Sequence, residues 1–186
     1  MAGLTGDIQQ VPPAVSAIKV DGQRAYRLTR AGAAPDLKPR PVTVYEFTVT
    51  ATRPAGELLD VDATVRCSSG TYIRALARDL GQQLGTGGHL TRLRRTRVGG
   101  YGLDAARTLE QLAERFEVMP LAEAAAAVFP RRDLSADEAR RLAHGARLPA
   151  AAETAGAPTA AYAPDGTLVA LLTEQHGQAR PLVVFA

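Results

Sequence analysis

Residues 67–81 read CSSGTYIRALARDLG, and the hydrophobic period changes inside this stretch. Upstream of it, Leu59, Val61, Ala63, Val65 and Cys67 recur at every second residue, the pattern of a strand with one buried apolar face. Downstream, Ile73, Leu76, Ala77, Leu80 and Leu84 recur at helical spacing until Gly81 and Gly85 end the run. Between them, Ser68-Ser69-Gly70-Thr71 supplies hydroxyls of the kind that cap a helix. The spacing therefore predicts a strand that passes through a tight turn into an amphipathic helix, with Tyr72 and Arg74 in the first helical turn. An arginine there opposes the helix dipole and calls for an anionic partner. That partner is either a bound carboxylate or phosphate, or an ordinary intramolecular salt bridge. The turn has neither the lysine nor the spacing of a P-loop, which argues against nucleoside triphosphate binding.

Working outward, residues 40–50 alternate Val42, Val44 and Glu46 with Thr43, Tyr45, Phe47 and Val49, a second half-buried strand. Arg53-Pro54-Ala55-Gly56 reads as the turn that pairs the two strands in a hairpin. Before it, residues 6–32 open on Pro12-Pro13, pass through a β-prone Val15–Val20 stretch, turn at Asp21-Gly22 and continue as a short helix to Gly32. Helices are predicted from Thr108, where Gln111 completes a capping box, and from Ser135, with Glu138 at the matching position and Gly145 as the stop. The alanine run 124–127 between them is helical or linker-like. Residues 160–166, 167–173 and 181–185 read as three short strands joined by a Pro-Asp-Gly turn and a Glu-Gln-His-Gly turn, a small β module.

The charge is unevenly spread over the 186 residues. Residues 1–65 carry seven Lys or Arg against seven acids, and residues 108–186 carry seven Arg against ten acids. Residues 66–107 hold eight Arg against only Asp79 and Asp104, so a net +3 conceals +6 in the middle of the chain. Lys19 and Lys38 are the only lysines, and arginine pairs with phosphate in a two-pronged fashion that lysine cannot match. Arg92, Arg94, Arg95 and Arg97 put four guanidinium groups within six residues. Two readings stand at this point: a segment that follows a nucleic-acid backbone through its phosphates, or a solvated charged face. The composition is that of a soluble globular chain with no apolar run of membrane-spanning length, and the N-terminal stretch lacks the features of a signal peptide. A cytoplasmic protein is the expectation. His89, His144 and His176 share no ligand spacing and Cys67 is the only cysteine, so no metal site is expected. Its place in a strand alternation sets Cys67 on a buried face, which disfavours a thiolate nucleophile.

Three segments together resemble a known family. GDIQQVPPAVSAIKVDGQRAYRLTRAG, CSSGTYIRALARDLGQQLG and GTGGHLTRLRRTRVGGY are similar, in order and spacing, to successive blocks of the bacterial TruB-type tRNA pseudouridine synthases. The resemblance runs from about Leu4 to Leu112. The remainder, with ArgArgAspLeuSerAlaAspGluAla and the Pro-Asp-Gly hairpin, resembles the PUA-like C-terminal domain of actinobacterial members.

The resemblance implies an α+β chain: the second half of the mixed, largely antiparallel sheet of the catalytic domain over residues 1–115, then a PUA-like RNA-binding module over 116–186. It implies an isomerase that acts on the T-arm of tRNA, flips out the loop uridine U55, breaks its N-glycosidic bond, turns the uracil and rejoins it through C5. The family uses an aspartate nucleophile and neither metal nor organic cofactor. By block matching, Tyr72 lines the uracil pocket, Arg74 pairs with the catalytic aspartate and Leu93 is a pocket-lining leucine, while Arg92, Arg94, Arg95 and Arg97 bind RNA. Val15 departs from the family, where many members have tyrosine. The larger departure is that the block carrying the nucleophile is missing. Gly102-Leu103-Asp104-Ala105-Ala106 imitates that block but lies in the wrong place, after the arginine cluster. The chain is therefore expected to be the C-terminal part of such an enzyme, inactive alone, with self-association through an exposed sheet edge. Two other readings stand beside it: a stand-alone non-catalytic RNA-binding module, and a small-molecule enzyme using Tyr72 and Arg74. The arginine density disfavours the latter.

Overall fold

A computed structural model describes residues 2–20, 22–151 and 157–185. It divides into two compact units, residues 1–93 and 94–186.

The first unit comprises β1 (Gly6–Gln10), β2 (Lys19–Val20), β3 (Gln23–Arg24), α1 (Ala25–Arg30), β4 (Arg40–Ala55), β5 (Leu58–Cys67) and α2 (Ile73–Gln83). Its main sheet has the order β1-β4-β5, antiparallel throughout. The expected hairpin is present, but its strands run further than predicted: Ala55 pairs with Leu58, and the reversal falls on Gly56-Glu57, with Gly56 at φ 64°. α2 lays Leu76 against Val44 and Leu4, with Ile8, Phe47, Val65, Cys67, Ile73 and Leu80 packed around them. Eleven helical residues span about 16 Å, whereas the ten residues of β5 span about 33 Å. The helix therefore covers only the Cys67 end of the hairpin. The other end is bare, with Leu58 and Leu59 66 % and 59 % exposed, so the single buried face expected for β5 exists only near Val65 and Cys67. Cys67 itself is half-buried rather than enclosed.

Two local expectations are corrected, and a third falls partly outside the described residues. The Val15–Val20 strand shrinks to Lys19–Val20, because the chain bends over residues 14–17 and its carbonyls are taken from outside any strand, Ser16 by the Tyr26 N–H and Ile18 by the Ala25 N–H. Arg78 and Arg74 donate to the carbonyls of Val11 and Val15. The turn placed at Asp21-Gly22 lies partly outside the described residues, since Asp21 is among those not described. Leu84, expected on the buried helical face, falls just past the end of α2 and is exposed. Gly81 is needed where it stands: a Cβ there would lie 2.0 Å from the carbonyl carbon of Gly87, so the chain that leaves the helix can fold back only over a glycine.

The second unit comprises β6 (Arg97–Val98), β7 (Tyr101–Gly102), α3 (Leu109–Glu114), α4 (Leu121–Ala126), β8 (Arg131–Asp133), α5 (Ala136–Ala143), β9 (Leu148–Pro149), β10 (Pro158–Tyr162), β11 (Leu168–Gln175) and β12 (Gln178–Val184). Both capping boxes form as predicted, Thr108 with Gln111 and Ser135 with Glu138. The expected three-stranded module is the centre of a five-stranded sheet of order β8-β10-β11-β12-β9. Both of its faces are covered. α5 packs Leu142 against Leu148, Val169 and Leu172, and α4 packs Ala125 against Ala160, Tyr162 and Leu168 on the other side. This two-sided burial explains why β10 and β11 read as almost unbroken apolar runs. Among the described residues no helix is long and apolar enough to cross a membrane.

Candidate functional site

Tyr72 and Arg74 are brought together at the start of α2, but the hydroxyls expected to cap it do other work. Tyr72 is the N-cap residue, with extended backbone (φ −97°, ψ 106°) and no side-chain cap of its own. Ser68 Oγ accepts from the Thr43 N–H at 3.0 Å, which pins the end of β5 to β4, and Thr71 Oγ1 donates to the Ser68 carbonyl. The free N–H at the helix start is instead taken by a residue 62 positions away. Gln10 Oε1 accepts from the Tyr72 N–H at 2.8 Å, and Gln10 Nε2 donates to the Tyr72 carbonyl at 3.2 Å. Gln10 is 2 % exposed, and nothing in its sequence neighbourhood marks it out. Only its burial at the end of a strand reveals the role.

Arg74 is exposed, and the intramolecular salt bridge, one of the two partners expected for it, is not formed among the described residues. Its Nη2 donates to the carbonyl of Val15 at 2.8 Å, and among the described residues no carboxylate pairs with it. Tyr72 is half-buried beside it. Arg78, one turn on, donates through Nη2 to the Val11 carbonyl and through Nε to Asp79 Oδ1 at 2.7 Å. Asp79 is thus engaged on the helix surface. Residues 11–15 are thereby laced to α2 at two points by arginine side chains.

The division between the two units falls inside the arginine cluster, so Arg92 and Leu93 close the first unit and Arg94, Arg95 and Arg97 open the second. Leu93 is 62 % exposed. Arg92 is exposed too, and it adds to the fields on Asp62, whose carboxyl is held below its usual range chiefly by the hydrogen bond from Arg53. No hydrogen bond among the described residues joins Arg92 to Tyr72 or Arg74. The side chains of Arg94, Arg95 and Arg97 are exposed and make no hydrogen bond or ion pair among the described residues. Asp104 is exposed in the second unit, where its carbonyl accepts from Arg107. No cluster of three or more His, Cys, Asp or Glu suited to a metal occurs among the described residues.

Three family models tile the chain in order. Residues 1–73 match the N-terminal domain of the TruB family pseudouridylate synthases. Residues 74–126 match the tRNA pseudouridylate synthase B C-terminal domain, and residues 129–186 the C-terminal part of tRNA pseudouridine synthase II. The chain belongs to the TruB family. Over its whole length it is 60 % identical to the tRNA pseudouridine synthase B of Arthrobacter sp. (strain FB24), spanning 64 % of that relative. It is 59 % identical to that of Thermobifida fusca (strain YX), with 98 % of this chain matched to 63 % of the relative. The chain thus spans a little under two thirds of the curated relatives it matches. Among solved structures, a chain of the Cbf5–Nop10–Gar1 complex superposes with a TM-score of 0.68 at 25 % identity, covering 98 % of this chain and 58 % of that one. A chain of an H/ACA RNP bound to a substrate RNA containing 2′-deoxyuridine gives 0.70 at 22 % identity, with the same coverage. The mixed α/β fold of the TruB-like pseudouridine synthases is therefore this chain's fold.

Proposed function

We propose that these 186 residues are part of a cytoplasmic tRNA pseudouridine synthase that converts the T-loop uridine U55, and that the nucleophilic aspartate belongs to the third of its relatives that this chain does not span. Arg74 is the observation that carries the reading. It stands at a helix start beside Tyr72, exposed, with one N–H spent on the Val15 carbonyl and no carboxylate partner among the described residues. An arginine has five N–H donors, so the guanidinium can keep that bond and still present a fork to a carboxylate. In the complete protein the aspartate attacks the flipped nucleotide and the glycosidic bond breaks. Tyr72 and Leu93 wall the pocket while the detached uracil turns, C5 bonds to the ribose carbon as the aspartate carboxylate leaves it, and the C5 proton is lost while N1 regains one. Neither metal nor organic cofactor is required.

RNA is held through its backbone by Arg92, Arg94, Arg95 and Arg97, and by a PUA-like module over residues 116–186. α3 belongs to the compact unit that begins at residue 94 but contributes no buried residue to the sheet core that α4 and α5 enclose, which is consistent with a module whose own core starts after it. Replacing Arg94 and Arg95 by Ala is expected to weaken tRNA binding and to flatten log Kd against log salt by about one to two units of slope. An unchanged slope would reduce the cluster to a solvated face.

Two further measurements test the reading. Incubated alone with a T-loop RNA, the 186-residue chain is expected to form no pseudouridine, and extending it by the remaining third of the Arthrobacter relative should give turnover. Conversion by the unextended chain, abolished by Asp104→Ala, would place the nucleophile in the Gly102–Ala106 stretch instead. The chain alone should also self-associate. β5 is an edge strand whose distal half carries bare Leu58 and Leu59, and such edges recruit further strands. Light scattering that finds a strict monomer across micromolar concentrations sinks this expectation.

A further inference from the structure

We infer that Gln10 is a positioning residue for Tyr72 and Arg74, a proposal that rests on the catalytic-site reading of those two residues given above. Its carboxamide meets the Tyr72 backbone from both sides, accepting at 2.8 Å and donating at 3.2 Å. That is the two-bond exchange of an antiparallel bridge, made here by a side chain. It fixes the orientation of one peptide segment, where a single bond would only tether it. Tyr72 is where such control matters most. It is the last extended residue before α2, and its φ and ψ determine both where its own side chain points and the direction in which the helix departs. Arg74 lies two residues further on, so its starting point follows from the same angles.

The surroundings make Gln10 the root of this arrangement. Residues 11–15, which follow it directly, are laced to α2 by Arg78 and Arg74. No other side chain among the described residues hydrogen-bonds the Tyr72 backbone. The Tyr72 carbonyl also accepts from the N–H groups of Ala75 and Leu76, so it stays satisfied without Gln10, whereas the Tyr72 N–H does not. Gln10→Met therefore keeps the length and leaves that N–H unpartnered. Gln10→Glu keeps the acceptor but sets a carboxylate oxygen against the Tyr72 carbonyl. Helix α2 keeps its packing through Leu76 in both cases, so the predicted loss is one of aim.

The test uses the extended enzyme and a T-loop RNA, with single-turnover rate, RNA Kd and thermal midpoint measured for Gln10→Met, Gln10→Glu and Tyr72→Leu. A displacement of about 1 Å at a reacting group costs about 10²-fold in rate. Gln10→Met is expected to lose rate on that scale at saturating RNA, Gln10→Glu to fall between it and the parent, and RNA Kd to stay within about threefold in both. If the Met variant does not fold, the Glu variant carries the test: a folded protein with a lowered rate supports the inference, and a parental rate overturns it. Rate and RNA affinity falling together, in step with the folded fraction, would show a purely structural role and also overturn it. Tyr72→Leu separates the two layers of the argument. If Tyr72→Leu leaves the rate unchanged, the site reading fails. If it is slow while both Gln10 variants are fast, only the Gln10 inference fails.

Discussion

In the extended enzyme, Arg74→Ala should lower the rate of pseudouridine formation by about 10³-fold and change tRNA affinity by less than about threefold. The asymmetry follows from what Arg74 can touch. A phosphate-binding arginine contributes to both ground-state and transition-state binding, so its loss appears in Kd and in the salt slope. An arginine that orients a nucleophilic carboxylate contributes only once the nucleophile and the sugar carbon are held in line, so its loss appears in the chemical step. Arg74→Lys discriminates further, because it keeps the charge but cannot both donate to the Val15 carbonyl and present a two-pronged fork. It should stay within about tenfold of the Ala variant. A lysine enzyme near parental speed would mean that charge alone matters and that the paired geometry assigned to Arg74 is wrong.

The parts of the fold legible in the sequence were those fixed by near neighbours. The capping boxes at Thr108 and Ser135 are i to i+3 devices, and both appear in the structure as read. The hairpin of β4 and β5 announces itself by alternation over more than eight residues in each strand. What stayed hidden depends on distant partners. β8 and β9 are three and two residues long, with no period to detect, and they exist as strands only because β10 and β12 offer them free edges. The same applies to the site. Tyr72 and Arg74 could be picked out from a helix start rich in hydroxyls, yet the group that satisfies the Tyr72 N–H comes from Gln10, across the sheet, while Ser68 turns away to β4. The partner of Arg74 was expected to be an anion, and in the described residues it is a carbonyl in a proline-bounded loop.

Deleting Arg132 from its buried contact with Glu174 should cost the second unit about 3–5 kcal/mol, the range for removing one partner of a buried pair. Glu174 is 1 % exposed and the Arg132 side chain 9 %, so neither is screened by solvent as a surface pair would be. One guanidinium gathers four elements: Nη1 donates to Glu174 Oε1 on β11, while Nη2 reaches Glu138 on α5 and the carbonyl of Pro149 on β9, all from β8. The other Glu174 oxygen accepts from the Ala151 N–H at 2.6 Å. Arg132→Ala removes the cation and leaves that carboxylate buried, which against a typical domain stability of about 5–15 kcal/mol is a large fraction. Replacing both, as Arg132→Met with Glu174→Leu, removes the buried carboxylate as well and should recover much of the loss. Glu138 adds a pH signature. Hydrogen bonds from Ser135, with Arg132 adding its field, hold its carboxyl below the ordinary value. A carboxyl depressed in the folded state stabilises above its unfolded pKa of about 4.3, and the contribution fades as pH falls through the lower folded value. The stability gap between the parent and Glu138→Gln should therefore be full at neutral pH and narrow as pH falls below about 4.3. Urea midpoints for the four proteins at pH 7 and pH 3.5 decide the matter. An Arg132→Ala midpoint equal to the parent's at neutral pH would show that the network carries no net stability.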